Sequence, residues 1–198
     1  MNVEAYILVG GKSSRFGSEK ALAVFEGKTL AERAYKTMCN AFRSEQVFFV
    51  ARDPQSFAHE AARLNAVFVY DVIEDRGPVG GLYTALTHAS TEWIFLFACD
   101  LTDVTWMYVS MLEDKISDHY GVVLPEQPDG RLQPLCAFYN VAKTLPVVRE
   151  LIHREGKPPA MMSVIDALNA RVAKLSEFIT APPVTFANVN RPADIEKE

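Results

Sequence analysis

The chain has 198 residues, 49% apolar and 23% charged, with a formal net charge of −5. This length fits one domain with a sizeable core. The acidic balance excludes a protein that binds by neutralising nucleic-acid phosphates. The N-terminal apolar run is short and has no basic leader, and no other stretch could cross a bilayer, so a cytoplasmic protein without membrane association is expected. Cys39, Cys99 and Cys136 lie far apart and form no C-x-x-C pair. Reduced thiols in or near the core are expected, rather than a disulfide framework or a zinc site.

Residues 3–9 form a short apolar run that enters glycines, as a buried strand does. A polar loop over 10–20 precedes a helix over 29–42. Thr29 can cap that helix, with Glu32 placed for a capping box and Leu30, Ala34 and Met38 at helical spacing. A second strand over 46–51 leads to a helix over 54–64, with Asp53 as cap and Pro54 at its first position. A third strand covers 66–70. A loop carrying Gly77-Pro78-Val79-Gly80-Gly81 then opens a helix that ends near His88. A fourth strand is expected over 93–98, a helix over 104–116 capped by Asp103, and a fifth strand over 120–124. Beyond it the regularity fails. A turn-rich loop over 125–131 precedes a strand over 132–139, helices over 141–153 and 160–168, short strands over 171–175 and 184–187, and a helix from Pro192.

Strands that alternate with helices at this spacing predict an α/β domain, a mostly parallel sheet flanked by helices. Such sheets bind ligands beyond the carboxyl ends of their strands. The ends of the first, third and fourth strands are the Gly10 loop, Asp71 and Asp100.

Residues 8–20 carry three glycines, serines and the cations Lys12, Arg15 and Lys20. Backbone amides, hydroxyls and cations together suit a polyphosphate. Two familiar phosphate loops do not match. A Walker A loop needs glycine where Tyr6 stands, and the dinucleotide pattern fails because the glycines fall at 10, 11 and 17. Asp100 closes an apolar strand, where a carboxylate needs a partner; Mg²⁺ is one such partner, and a helix cap is the alternative.

The first loop resembles the signature of the molybdenum cofactor guanylyltransferases (MobA type), L-A-G-G-x-S-x-R-M-G-x-D-K. Here Val9, Phe16 and Glu19 replace alanine, methionine and aspartate. Related cytidylyltransferases usually carry L-A-A-G, so Gly10-Gly11 resembles the guanine-using branch. Asp71 ahead of Gly77-Pro78-Val79-Gly80-Gly81 resembles the second motif, an aspartate before G-P-L-A/G-G; Asp75 is the competitor and reads as a solvated turn residue. Cys99-Asp100 matches the centre of P-C-D-M-P, while Ala98 and Leu101-Thr102 depart from it. Gln133-Pro134-Leu135 is similar to the end of G-x-x-Q-P-L. Asn188 and Asn190 fall in a segment like F-x-N-x-N-T-P-E-D-L, with Arg191 for threonine. Read without the resemblance, Asn190 is a cap before Pro192, and Gln133 belongs to a strand leaving a turn.

The resemblance implies a single-domain Rossmann-like nucleotidyltransferase fold, with residues 1–125 on the nucleotide side and 126–198 on the acceptor side. It implies transfer of GMP from GTP to molybdopterin with release of pyrophosphate. Arg15, Lys20 and Asp100 would be catalytic. Leu8, Val9, Gly10, Gly11, Lys20, Asp71, Gly77 and Asp100 would bind GTP, Asp100 would hold Mg²⁺, and Gln133, Asn188 and Asn190 would line the acceptor side. Transient contact with cofactor-pathway proteins or molybdoenzymes is expected, and contact with nucleic acid is not. Two other readings keep the fold: a cytidylyl- or uridylyltransferase, and a degenerate nucleotide-binding relative.

Overall fold

The computed structural model describes residues 2–9, 20–52, 54–73, 75–127, 129–178, 184 and 186. In chain order the elements are β1 (Val3–Leu8), β2 (Val24–Phe25), β3 (Lys28–Thr29), α1 (Leu30–Ala41), β4 (Val47–Ala51), α2 (Pro54–Leu64), β5 (Val67–Tyr70), α3 (Gly77–His88), β6 (Trp93–Ala98), α4 (Trp106–Glu113), β7 (Val122–Pro125), β8 (Cys136–Asn140), α5 (Val141–Ile152), α6 (Met161–Asp166) and β9 (Ala170–Ala173). β2 and β3 form a small hairpin. The other seven strands make one sheet in the order β5-β4-β1-β6-β8-β7-β9, in which only β8 runs against the rest. The expected mostly parallel sheet flanked by helices is therefore what forms.

β1 lies near the middle, paired with β6 from Val3↔Trp93 to Leu8↔Ala98 and with β4 from Ala5↔Val47 to Leu8↔Val50. Side chains alternate across a strand, so β1 and β6 feed two cores. Ala5, Ile7, Phe95 and Phe97 join Met38 of α1 and Leu112 of α4 on one face. Tyr6, Ile94 and Leu96 join Leu82 of α3 and Val148 of α5 on the other. Burial on both faces explains why these strands read as continuous apolar runs. All three cysteines are free thiols, Cys99 and Cys136 buried and Cys39 partly so. Among the described residues no helix is long and apolar enough to cross a membrane.

Several expected boundaries shift for identifiable reasons. The hairpin over 24–29 was not foreseen; its two-residue turn places Glu26 at φ +47° and Gly27 at φ +73°, which suits a tight antiparallel connection. Helix α4 starts at Trp106 and is capped by Thr105, whose Oγ1 accepts from the Tyr108 N–H at 3.3 Å. This corrects the expectation that Asp103 caps it. The strand expected over 132–139 shortens to β8. The Gln133 N–H donates to the Pro125 carbonyl at 3.0 Å, and Pro134 has no N–H to offer a ladder. Val184 and Phe186 are buried but lie in no strand, and Phe186 sits at φ +53°, incompatible with extended backbone. The expected Asp53 cap and the helix from Pro192 lie outside the described residues.

The Thr29 cap forms as expected. Its Oγ1 accepts from the Glu32 N–H at 3.0 Å and donates to Glu60 at 2.5 Å, so one hydroxyl joins α1 to α2. Thr29→Ala is expected to cost about 1–2 kcal/mol of stability in urea unfolding. A change under about 0.3 kcal/mol would show that this cap carries no weight.

Candidate active site

The parallel register brings the carboxyl ends of β1, β4, β5 and β6 to one edge of the sheet, where the first residues past the strands, Val9, Arg52, Asp71 and Cys99, are brought to one level. Val9 follows β1 and is buried, its N–H donating to the Val50 carbonyl at 3.1 Å. The Cys99 N–H donates to the Leu8 carbonyl at 3.4 Å, and the Leu101 N–H to the Ala98 carbonyl at 3.3 Å. These bonds make the end of β6 a tight turn held against β1, with Asp100 inside it. Asp100 caps no helix, because α4 begins later and is capped by Thr105.

Lys20 meets Asp100 here. Its Nζ donates to Asp100 Oδ2 at 2.5 Å, with the two side chains 19% and 20% exposed. Ala21, fully buried in the core, anchors the short 3₁₀ turn Lys20–Leu22. The pair spans 80 positions of sequence, so only the fold creates it. Gly10, Gly11, Arg15, Asn188 and Asn190 lie outside the described residues.

Asp71 follows β5 and is tied to the end of β4, its N–H donating to the Ala51 carbonyl at 3.1 Å. Its carboxylate accepts from the Thr84 hydroxyl at 3.2 Å. Burial pushes its pKa above the ordinary 3.8, and the Thr84 hydroxyl and the Arg52 charge only partly offset this. Asp75 is turned outward instead, 56% exposed, and pairs with Arg52 at 3.2 Å. The two aspartates thus separate into a half-buried acceptor at the sheet edge and a surface ion pair.

The glycines after Asp75 are not a turn ahead of the helix, as expected from sequence; they are the first turns of α3. Gly77 requires glycine for its φ of +59°. Gly81 is in close contact, since an added Cβ would lie 2.7 Å from Leu8 Cδ2 and that side chain would have to shift. This second glycine lets α3 approach the end of β1.

Gln133 is 6% exposed and precedes β8 on the same edge, where the Ala98 N–H donates to the Leu135 carbonyl at 2.9 Å. The sheet therefore brings Leu8, Val9, Asp71, Asp100 and Gln133 to one edge, with Lys20 paired to it through Asp100 and Gly77 heading the helix that packs beneath it. Arg52 and Thr84 were missed in the sequence. Arg52 follows the second strand and was legible from the strand-end rule. Thr84 was not, since it is an interior helix residue.

A cavity of about 210 Å³ opens between the Asp100 turn and α1, lined by Cys99, Leu101 and Thr102 on one side and Lys28, Arg33 and Lys36 on the other. Arg33 is already paired with Glu26 at 2.7 Å and Lys36 with Glu32 at 2.6 Å. Much of the positive charge there is consequently neutralised in place.

The family described as MobA-like NTP transferase domain matches residues 5–172. The chain belongs to this family. It is 30% identical over 198 residues to a molybdenum cofactor guanylyltransferase of Desulfosudis oleivorans, covering 98% of this chain and 93% of that protein. Its fold resembles molybdopterin-guanine dinucleotide biosynthesis protein A from Archaeoglobus fulgidus, at a TM-score of 0.80 and 22% identity over 98% of this chain and 95% of that one. It also resembles a CMP:2-keto-3-deoxy-manno-octonic acid synthetase complexed with CTP, at a TM-score of 0.74 and 14% identity over 100% of this chain and 96% of that one. The second likeness shows that the fold is shared with an enzyme that binds a different base, so the fold does not choose the nucleotide.

The half-buried Asp71 carboxylate has a consequence for stability. Folding raises its pKa, so the stability it contributes is full below the unfolded value of 3.8 and is lost as pH rises through the raised value. Asp71→Asn is therefore expected to be more stable than the parent at neutral pH. The gain should vanish toward acid and level off above the raised pKa, as followed by urea unfolding across pH 3.5–8. An Asp71→Asn protein less stable than the parent at pH 7 would make Asp71 a structural residue.

Proposed function

We propose that this MobA-like nucleotidyltransferase transfers GMP from GTP to the terminal phosphate of molybdopterin. The observation that carries the reading is the Lys20–Asp100 pair at the carboxyl edge of the sheet, set in a chain that matches a molybdenum cofactor guanylyltransferase almost end to end. An acceptor phosphate oxygen attacks the α-phosphorus of GTP. A new P–O bond forms, the bond to the β-phosphate bridge breaks, and pyrophosphate leaves. The acceptor is already anionic, so no protein nucleophile is needed, and positioning and charge stabilisation carry the rate.

Asp100 suits Mg²⁺, which takes one or two carboxylates and fills its remaining positions with phosphate oxygens and water. Among the described residues no group of three or more potential ligands gathers. Bound there, Mg²⁺ supplies charge neutralisation at the phosphate oxygens. Lys20 then exchanges Asp100 for the triphosphate. Arg15 adds a second cation, Gly10 and Gly11 admit the guanine with Leu8 and Val9, and Asp71 and Gly77 contact the nucleoside. Gln133, Asn188 and Asn190 face the acceptor, so residues 1–125 serve the nucleotide and 126–198 the acceptor. The reaction belongs in the cytoplasm.

GTP with Mg²⁺ is expected to stabilise the protein by about 2.7 kcal/mol at a hundredfold excess over Kd, well beyond CTP, UTP or ATP. Equal thermal shifts with CTP and GTP would replace the guanylyl reading with a cytidylyl one.

Asp100→Asn is expected to keep its melting temperature within a few degrees while losing several kcal/mol of transition-state stabilisation. Pyrophosphate release with GTP, Mg²⁺ and molybdopterin reads this out. Near-parental turnover would move the metal elsewhere.

A further inference from the structure

Thr84 stands in the third turn of α3 and is fully buried. Helix interiors seldom need threonine, and a buried hydroxyl needs partners. This one has three. Its oxygen accepts from the Val72 N–H at 3.1 Å, and it lies 3.2 Å from Asp71 Oδ1 and 3.1 Å from the Gly80 carbonyl. A hydroxyl has one proton to donate, so Asp71 and Gly80 compete for it. The Gly80 carbonyl lies one helical turn back, the usual resting acceptor for a threonine in a helix. The Asp71 carboxylate is the stronger acceptor whenever it is ionised.

We infer that Thr84 is the positioning residue of the nucleotide-side carboxylate, holding Asp71 and the backbone of Val72 in one geometry. This rests on the reading of Asp71 as a nucleotide contact. Two further observations support it. The end of β5 and the residues after it run exposed on one side, with Tyr70 and Val72 51% and 59% exposed, and are held by β4 through the Asp71 N–H and by α3 through Thr84. α3 is itself seated against β1 by the close approach of Gly81 to Leu8. The Thr84 hydroxyl therefore joins the end of β5 to the helix that also abuts the end of β1. The other charged group that reaches Asp71 among the described residues is Arg52, from the end of β4, which is shared with Asp75 at 3.2 Å.

The test uses the full chain with GTP, Mg²⁺ and molybdopterin. Thr84→Val keeps the shape and removes the hydroxyl; Thr84→Ala serves if the valine variant folds poorly. The expected result is a KM for GTP raised about five- to tenfold with kcat within about twofold, and recovery in Thr84→Ser. Asp71→Asn should raise the KM comparably, and Thr84→Val should add little on top of it, because the two act as one unit. A carbon-13 titration of the Asp71 carboxyl should move upward in Thr84→Val, since the lost hydrogen bond favoured the ionised form. The acid limb of kcat/KM should follow it to higher pH.

Strictly additive KM effects, or an Asp71 titration unmoved by Thr84→Val, would overturn the inference and leave Thr84 as packing. If Asp71→Asn leaves the KM for GTP unchanged, the nucleotide reading of Asp71 falls instead, and the carboxyl titration still decides whether Thr84 controls Asp71.

Discussion

The parallel register between β1 and β6 is the constraint on which the site depends. Six consecutive partners, Val3↔Trp93 to Leu8↔Ala98, leave both strands ending at the same level. Each strand is buried on both faces, and slipping the register by one residue would send every side chain to the wrong core. The apolar interior thus places a polar edge: Val9 and the Asp100 turn emerge side by side because Ile7, Phe95 and Phe97 below them have only one way to pack. β4 and β5 extend the same level outward to Arg52 and Asp71. The reversed strand β8 begins at this edge, which brings Gln133 to it from a distant part of the chain.

Two charges at that edge are paired within reach of solvent. Lys20 and Asp100 are each about a fifth exposed, and their contact at 2.5 Å satisfies both while leaving them reachable from solvent. Under the proposed function a nucleoside triphosphate with its cation offers each a replacement of the same sign, so binding would swap partners instead of stripping charges bare. Asp71 is held differently. Its carboxylate is half-buried against a hydroxyl, and burial disfavours its charged form. Rigidity comes from beneath: Thr105 caps α4, Thr29 couples α1 to α2, and Gly81 lets α3 close on β1.

Local chemistry made much of this legible in the sequence. The apolar runs ending at Leu8, Tyr70 and Ala98 predict strands because strands of a parallel sheet are mostly apolar, and the rule that ligands gather past strand ends then points to Asp71 and Asp100. Thr29 and Pro54 announce their helices because capping and first-turn chemistry act within a few residues. The cap of α4 was not so simply legible, and the expected Asp103 gives way to Thr105. Both residues can cap, and where α4 starts depends on how Val104, Tyr108 and Leu112 meet the core.

What the sequence by itself determined was the alternation of strands and helices, the family of the first loop, and which carboxylates end strands. Each is written in neighbouring residues. Only the tertiary structure decided that Lys20 rests on Asp100 across 80 positions, that Asp71 and not Asp75 turns inward, that Gly81 lies against Leu8, and that Thr84 reaches Asp71 from inside a helix. Those facts depend on strand order, reversal of β8 and helix seating. They arise between segments far apart in the chain, where propensity and spacing carry no information and packing supplies it.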